Sequence, residues 1–390
     1  MIAPLREKFN AAWTPANYAR LLAHLEARCG EGAQFRHCET PCFFPAELID
    51  RMSRYGADMV QQLLDNRQYM VDSEQAIPEK WRVPNEAPAP LFVQADFGLD
   101  ENLDPKLVEI QGFPSLYFYQ PALADAYRAA YQLDPDLAAL PGGLSTTDYY
   151  RLMREAIIGT HDPENVILTD VDPGGQKTRH DFLTTEREIG VRAVDIRSLI
   201  KRGNRLFYLR GGLETPVHRI YNRAIVDEME RRAIQLPFDF RDDINVEWAG
   251  HPNWFFRLSK FSLPYLNHPA VPGAQFLDQA GPVEHPERYV LKPLYSFAGA
   301  GVIVGPTAAQ IAAVPAEHRS GYLLQERVDF RPVVDTPAGV DKVEVRIMYI
   351  WRDGLQAVNT IIRMGRGAQM GVDFNKGMDW VGASAGFIQA

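Results

Sequence analysis

Apolar residues recur at helical spacing in the first third of the chain. After Thr14 and Pro15, which are typical of a helix N-cap and a first helical position, one apolar stripe follows. It consists of Tyr18, Leu21, Leu22 and Leu25. A second stripe starts near Pro45 and consists of Leu48, Met52, Tyr55, Met59 and Leu63. We therefore predict two amphipathic helices whose apolar faces pack in a core.

The pattern changes to alternating helices and strands between residues 121 and 245. Two helical segments, ALADAYRAAYQL and TDYYRLMREAII, come before the short buried run VILTD at 166–170. Another helical segment then leads to the β-branched run VRAVDI at 191–196. A strand, a helix and a second strand in this order predict a βαβ unit.

Strands are predicted on both sides of this region. The runs LFVQADFGL and KLVEIQGF flank the turn-forming ENLD and predict one strand pair, whereas residues 74–90 are rich in proline and charge and predict a linker. Beyond residue 285 the chain carries the apolar runs YVLKP, GVIVG, YLLQERV, VEVRIMYIW and LQAVNTIIRM. The first two flank a loop with Gly299 and Gly301, which predicts a strand–turn–strand whose backbone can approach a bulky group.

These patterns predict a mixed α/β fold and divide the chain into four regions. They are an N-terminal helical region (1–85), the strand pair (86–120), an α/β domain with the βαβ unit (121–245) and a strand-rich region (246–390). At 390 residues and 46% hydrophobic composition, the chain can bury one large core or two to three ordinary ones.

Charge and cysteine content narrow the classes of partner. The formal net charge is −9 and the sequence pI is near 5.6, which argues against a basic face for nucleic acid or anionic lipid. The N-terminus has no apolar segment after its charges, and no later run is long enough to span a bilayer, so we predict a cytoplasmic protein. Cys29, Cys38 and Cys42 predict packed thiols, although the spacing of the last two could also seat a metal or a redox pair.

The strand pair at 91–113 brings two acids together. If ENLD closes Asp100 onto Pro105, antiparallel pairing places Asp96 opposite Glu109, with Gln111 on the same face. Two like charges across a ladder require a cation between them or a proton on one of them. Because Mg²⁺ prefers a few hard oxygen ligands, these three side chains form a candidate Mg²⁺ site. The alternative is a solvated acidic strand face.

The strand-rich region carries a candidate polyphosphate site. Lys292 ends an apolar run before the glycine loop, and Lys260 lies 32 residues upstream in RLSKFSLP (292 − 260 = 32). Backbone N–H groups of such a loop, together with two lysines, can bind an anion. The run YLLQERV at 322–328 could present its backbone to a purine edge. The alternatives are an ordinary hairpin and a plain edge strand.

The order of these motifs resembles that of a known family. D…E-x-[N/Q], then [S/N]-K-x-x-L-P, then V-x-K-P with a glycine loop, then Y-x-L-Q-E resembles the circularly permuted ATP-grasp ligases, in particular the synthetase domain of glutathionylspermidine synthase. The likeness spans residues 90–385. It implies an ATP-grasp fold in permuted order, with metal-binding strands at 86–120, antiparallel-sheet ATP-binding lobes at 246–390 and an α/β domain on the substrate side.

The resemblance implies ATP and Mg²⁺ as cofactors and assigns residues to both. The Mg²⁺ ligands would be Asp96, Glu109 and Gln111. The ATP-binding residues would be Lys260, Lys292, Ser296, Gly299, Gly301, Gln325, Glu326 and Val328, with Ser296 to Gly301 as a loop that closes over the phosphates.

Two departures from the family bear on catalysis. Gln111 stands where the family has an asparagine ligand, and Gln94 stands where the family has an arginine two residues before the first metal-binding aspartate. That arginine helps to balance charge on the transferring phosphoryl group. Arg346 or Arg363, each in a late strand, could supply the cation instead; the alternative for either is a surface ion pair.

The implied activity is an ATP- and Mg²⁺-dependent carboxylate–amine ligase that acts through an acyl phosphate on a small amino acid or peptide-like acid. Ser115, Arg179 and Arg223 are candidates for binding the substrate carboxylate. Two other classes stay open: a catalytically inactive nucleotide-binding protein on the same scaffold, and a small-molecule kinase, which would need a base near an acceptor hydroxyl. The predicted partners are small molecules, with neither nucleic acid nor membrane among them.

Overall fold

A computed structural model describes residues 1–32, 34–296, 299–367, 370, 375 and 377–390. The helices are α1 (Ala3–Ala12), α2 (Pro15–Cys29), α3 (Ala46–Asp65), α4 (Arg67–Gln75), α5 (Tyr119–Tyr131), α6 (Thr146–Ile158), α7 (Arg179–Ile189), α8 (Val226–Arg231), α9 (Asn253–Arg257) and α10 (Ala308–Ala312). The strands are β1 (Cys42–Pro45), β2 (Phe92–Leu99), β3 (Pro105–Gln111), β4 (Val166–Asp170), β5 (Arg192–Asp195), β6 (Ile200–Arg202), β7 (Arg205–Arg210), β8 (Leu213–Val217), β9 (Arg219–Asn222), β10 (Glu247–Ala249), β11 (Ala274–Phe276), β12 (Tyr289–Pro293), β13 (Ile303–Val304), β14 (Tyr322–Glu326), β15 (Val334–Thr336), β16 (Gly339–Trp351), β17 (Leu355–Gly365), β18 (Gly382–Ser384) and β19 (Gly386–Gln389).

The largest sheet joins early and late parts of the chain. Its strand order is β18-β17-β16-β2-β3, with β15 also paired to β16, and its pairings are antiparallel. All eight residues of β2 are buried, which fits an interior strand covered on both faces. The predicted strand pair is therefore confirmed, and it shares one sheet with the long strands β16 and β17.

The βαβ unit is confirmed in the middle of the chain. β4 pairs in parallel with β5 across the helix α7, and β9 and β10 extend this sheet to the order β10-β9-β4-β5. A separate antiparallel sheet, β6-β7-β8, was not predicted. Gly211 and Gly212, both at positive φ, form its second turn, and this glycine pair was the available signal.

The predicted strand–turn–strand at 289–305 belongs to a smaller sheet. Val290 pairs with Val304 and Leu291 with Ile303, in a sheet of order β11-β14-β12-β13. Gly301 lies at φ +73°, and a Cβ atom there would come within 2.9 Å of the Pro293 ring. The loop therefore needs glycine for its backbone conformation and for its close approach to β12.

The N-terminal helices begin close to where the apolar pattern predicts. Pro15 opens α2, and the Thr14 side chain accepts a hydrogen bond from the N–H of Asn17. α3 begins at Ala46, one residue after Pro45. Among the described helices, none has the length and apolar character required to cross a membrane.

Candidate functional site

A cavity of about 1260 Å³ lies where the largest sheet, the smaller sheet and the carboxyl end of the parallel sheet meet. Most of the site residues predicted from the sequence line it. They are Asp96, Glu109, Gln111, Ser115, Arg223, Lys260, Lys292, Ser296, Gly299, Gln325, Glu326, Val328, Arg346 and Arg363. Gly301 and Arg179 do not belong to this lining. Of the predicted closing loop, Phe297 and Ala298 lie outside the described residues.

The predicted pairing of Asp96 with Glu109 is confirmed, but the turn that sets it differs from the prediction. The strands close with Leu99 opposite Pro105, so the loop between them is one residue longer than ENLD. A β-bulge at Val108 then shifts the register by one residue and restores the predicted alignment. The longer loop and the bulge shift the register in opposite directions, so the pairing of the two acids is the one predicted.

Arg346 on β16 supplies the positive charge beside these acids. Its guanidinium donates to both carboxylate oxygens of Asp96, including Nη2 to Oδ2 at 2.6 Å, and Nη1 donates to Gln94 Oε1 at 2.9 Å. Arg346 Nη2 also lies 3.6 Å from Glu109 Oε1. In the amide orientation that satisfies its neighbours, the Gln111 oxygen accepts from both Nη atoms at 2.8 Å. The cation that the paired acids required is here a guanidinium.

A second arginine completes this buried ion cluster. Arg363 on β17 contacts Asp96 Oδ2 and Glu344 Oε1 through its Nη2. Burial alone would raise the pKa of Asp96, but Arg346 and Arg363 outweigh it and hold that pKa below its usual value. Burial raises the pKa of Glu344 in spite of Arg363. Asp96 is thus held as a carboxylate, and Glu344 is the acid of the cluster that takes up a proton more readily.

These contacts bear directly on the predicted magnesium ligands. Both oxygens of Asp96 and the oxygen of Gln111 already accept from arginine, so this donor set fits a guanidinium better than Mg²⁺. Glu109 makes longer contacts than Asp96 does: its Oε1 lies 3.6 Å from Arg346 Nη2, and its Oε2 lies 3.5 Å from Lys260 Nζ. Within the described parts of the chain, no cluster of three or more His, Cys, Asp or Glu side chains is suited to a metal ion.

Two lysines from separate elements share one wall of the cavity. Lys292, at the end of β12, is 6% exposed and donates from Nζ to Val108 O at 3.0 Å and to Gln325 Oε1. Lys260, at the start of a 3₁₀ turn, donates to Ser296 O at 2.7 Å. Burial lowers the pKa of Lys292 to about 8. Because a bound anion would favour the charged lysine, this wall is suited to a phosphate-bearing ligand.

The end of β14 lies beside the lysines. This strand pairs with β11 on one side and β12 on the other, so it is an interior strand and not the edge strand that the sequence also allowed. The N–H groups of Glu326 and Arg327 already donate to carbonyl oxygens of neighbouring segments, at 2.7 Å each. Val328 is the next residue along the chain, and it too lines the cavity.

The two arginines predicted to bind a substrate carboxylate have partners inside the protein. Arg223 Nη1 donates to Asp181 Oδ2 at 2.7 Å, and both side chains are buried. Arg179 forms an ion pair with Glu31. Ser115 lines the cavity. Each of the two arginines is thus already paired with a carboxylate before any ligand binds.

Asp170 is a cavity residue that the sequence analysis missed. It is the last residue of β4, is 4% exposed and accepts a hydrogen bond at Oδ1 from the N–H of Val171 at 2.7 Å. Burial raises its pKa to about 7, although Arg223 acts to lower it. The sequence feature that could have identified Asp170 is its position at the carboxyl end of a buried strand, because ligands bind at this end of strands in open α/β sheets.

The variant Asp170→Asn is expected to be more stable than the wild type at pH 8. Below the usual aspartate pKa near 3.8, the folded and unfolded states are both protonated and the group has no effect. As pH rises towards about 7, the folded state retains a proton that the unfolded state has lost, so ionising the buried group costs up to about 4 kcal/mol above that pH. Asparagine removes this cost.

Chemical unfolding at pH 5 and pH 8 checks this expectation. The stabilisation by Asp170→Asn should be less than half as large at pH 5 as at pH 8. Asp172→Asn, which alters an exposed acid in the following loop, should change little at either pH. An equal effect of Asp170→Asn at both pH values would show that Asp170 titrates as an ordinary exposed carboxyl.

Comparison with known proteins shows a likeness in structure but none in sequence. No protein-family model matches the sequence. No curated protein matches it significantly. The structure is similar to that of a glutathione synthetase-like effector, GSS30, from Globodera pallida in its apo form. The TM-score is 0.58, the match covers 95% of this chain and 98% of that chain, and the two sequences are 11% identical.

At this identity the likeness shows a shared fold and nothing finer. The mixed α/β architecture with several sheets is the fold that the two proteins share. The circularly permuted order of the motifs and the roles of the individual cavity residues stay predictions.

Proposed function

We propose that this protein is an ATP-dependent ligase that joins a small amino acid or peptide-like acid to an amine through an acyl phosphate. The observation that carries the proposal is one cavity wall on which Lys260, Lys292, Arg346 and Arg363 converge from four separate elements. Converging cations in a buried site bind polyphosphate and stabilise the charge that develops during phosphoryl transfer. The fold shared with a glutathione synthetase-like protein supports the same class.

In this proposal ATP binds between the smaller sheet and the largest sheet. Its phosphates contact Lys260 and Lys292, beside Ser296 and Gly299 of the same lining. The adenine lies near Gln325, Glu326 and Val328. Val328 directly follows Glu326 and Arg327, whose N–H groups already donate to neighbouring segments.

The reaction then has two balanced steps. A carboxylate oxygen of the acid attacks the γ-phosphorus, the bond from that phosphorus to the β–γ bridging oxygen breaks, and ADP leaves. The amine nitrogen attacks the acyl carbon, phosphate leaves with the former carboxylate oxygen, and the nitrogen loses a proton to solvent. Arg346 and Arg363 orient the acid and the transferring group, while the buried wall excludes water from the acyl phosphate.

Dependence on Mg²⁺ remains part of the proposal, but the residues proposed to hold the ion differ from those predicted from the sequence. A divalent ion arriving with ATP would be held by Glu109 and the phosphates, since Asp96 and Gln111 contact Arg346 and Glu344 contacts Arg363. Such an ion would add to the neutralisation of phosphate charge.

Trapping the acyl phosphate with hydroxylamine tests the class of reaction without knowledge of the natural amine. The protein is incubated with ATP, Mg²⁺, hydroxylamine and a panel of amino acids and short peptides, and hydroxamate and ADP are measured together. A ligase gives both products in equal amounts, and only with its acid present. A kinase gives ADP without hydroxamate. A protein that binds ATP without turnover gives neither product, and either of these last two results would contradict the proposal.

A further inference from the structure

Two thiols and one thioether meet in the protein core, away from the cavity. Cys38 Sγ and Cys42 Sγ each lie 3.5 Å from Met364 Sδ, and each of the three residues is at most 1% exposed. None of the three lines the cavity. Thiolates and thioethers are soft ligands, so two thiols that contact one thioether form a candidate site for a soft metal ion.

The fold holds the three sulfurs in place from distant parts of the chain. The N–H of Cys38 donates to Ala383 O at 2.8 Å. The N–H of Cys42, the first residue of β1, donates to Ala385 O at 2.9 Å. Met364 lies in β17, which is paired on both sides. Because the backbone of all three residues is fixed, the sulfurs need little rearrangement to bind an ion.

A buried arginine lies against the same segment. Arg6, in α1, is 3% exposed, donates from Nη1 to Pro41 O at 2.9 Å and has its Cζ 5.5 Å from the centre of the Phe43 ring. Within the described parts of the chain, its Nε and Nη2 have no hydrogen-bond partner. The ionisable groups whose charge would act on Arg6 most strongly are the thiols of Cys42 and Cys38, ahead of any carboxylate. A buried cation of this kind is stabilised by a negative charge beside it.

Charge and ligand number indicate the kind of ion. Two thiolates and one monovalent cation together carry a single negative charge, which the guanidinium of Arg6 balances. The two acids that act on Cys38, Glu39 and Asp341, are each bound to a different arginine. Zn²⁺ is almost always bound by four ligands in structural sites, and this cluster offers three. Cu(I) is monovalent and is selected by thiolate and thioether sulfur.

We propose that Cys38, Cys42 and Met364 bind one Cu(I) ion beside Arg6. On binding, each thiol loses its proton to solvent and its sulfur forms a bond to the ion, while the thioether sulfur of Met364 is a neutral third ligand. No electron is transferred, because the ion enters and stays as Cu(I). The inference does not depend on the proposed function, because the site lies outside the cavity that would bind ATP.

Competition with a Cu(I) chelator tests the site on the whole folded protein. The protein is titrated, in the absence of oxygen, into the coloured Cu(I) complex of bicinchoninate, and loss of colour measures the transfer of the ion. We expect one Cu(I) per chain to transfer and to raise the melting temperature of the protein. X-ray absorption by the bound copper should show sulfur alone among its ligands. No transfer with the chelator in slight excess over the ion, or a nitrogen or oxygen ligand, would overturn the proposal.

Four variants locate the ligands. Cys38→Ala and Cys42→Ala should each weaken Cu(I) binding at least a hundredfold, whereas Cys29→Ala, which removes the third buried cysteine, should leave it unchanged. Met364→Leu should weaken binding at least tenfold, and because it nearly conserves side-chain volume it remains informative if an alanine variant does not fold. Wild-type affinity in Met364→Leu, or in the double variant Cys38→Ala/Cys42→Ala, would contradict the proposed ligand set.

The variant Arg6→Met tests the balance of charge. It should weaken Cu(I) binding at least tenfold, because the complex would then bury a negative charge without a counter-ion. Lys8→Met removes an exposed cation from the same helix and should leave the affinity unchanged. Equal Cu(I) affinity in the two variants would show that Arg6 is not the counter-ion and contradict this part of the proposal.

Discussion

Replacing Arg346 with methionine is expected to lower the free energy of unfolding by about 3 kcal/mol or more. Arg346 is 9% exposed and Asp96 is 2% exposed, so the variant leaves a buried carboxylate with only Arg363 as counter-ion. Breaking a buried ion pair from one side typically costs about 3–5 kcal/mol, because the remaining charge is desolvated and incompletely paired. The amides of Gln94 and Gln111 would lose their contacts to the guanidinium as well.

Denaturant unfolding with a matched surface variant checks this effect. Arg352→Met removes an arginine that directly follows the same strand and whose side chain is largely exposed, and it should cost less than about 1 kcal/mol. The double variant Asp96→Asn/Arg346→Met should be less destabilised than the sum of the two single variants, because the second change removes the charge that the first leaves unpaired. A cost below about 1 kcal/mol for Arg346→Met alone would contradict the buried cluster.

Replacing Lys292 with methionine is expected to weaken ATP binding by about 2–5 kcal/mol, or roughly 30-fold to several thousandfold. The side chain is buried, and Nζ lies on the wall that would face the phosphates. Methionine keeps much of the volume and removes the charge. Burial lowers the pKa of Lys292, so the charged lysine is costly in the free protein, and this cost offsets the loss of its hydrogen bonds to Val108 O and Gln325 Oε1. The variant should therefore melt near the wild-type temperature.

Measuring both the ATP affinity and the melting temperature of Lys292→Met distinguishes a residue that binds the ligand from one that supports the fold. Lys80→Met serves as the control, since Lys80 is exposed and its pairing with Glu230 is on the surface. That variant should bind ATP as the wild type does. A Lys292→Met protein that is destabilised and binds ATP normally would show that the lysine supports the fold and does not contact the nucleotide.

The alignment of Asp96 with Glu109 was predictable because it depends on local information. A polar turn between two alternating runs sets an approximate register, and strand periodicity then places both acids on one face. The turn itself was predicted one residue too short, and the bulge at Val108 was not predicted. The correct alignment therefore rested on two errors of one residue that compensate each other.

The identity of the counter-ion could not be predicted in the same way. Arg346 meets Asp96 across a strand pairing that joins residues 250 positions apart, which no local pattern reveals. The rule that paired acids require a cation was correct, but it does not distinguish a metal ion from a guanidinium. Gln94 and Gln111, which appeared as departures from the family pattern, are the amides that contact this arginine.

Asp170 and Gln120 illustrate a different limit of sequence reasoning. Both lie at the ends of apolar segments, where a polar residue is ordinary, and neither forms a motif with its neighbours in sequence. Both are buried in the cavity lining, which only the packed structure reveals.

Thermal melting of the purified protein with increasing ATP and Mg²⁺ tests the central claim most directly. A ligand that binds only the native state stabilises it by about 2.7 kcal/mol at a hundred times its dissociation constant. We predict a saturable rise in melting temperature with ATP that is lost in Lys292→Met and retained in Lys80→Met. No rise at millimolar ATP, or an equal rise in both variants, would contradict a nucleotide site at this cavity.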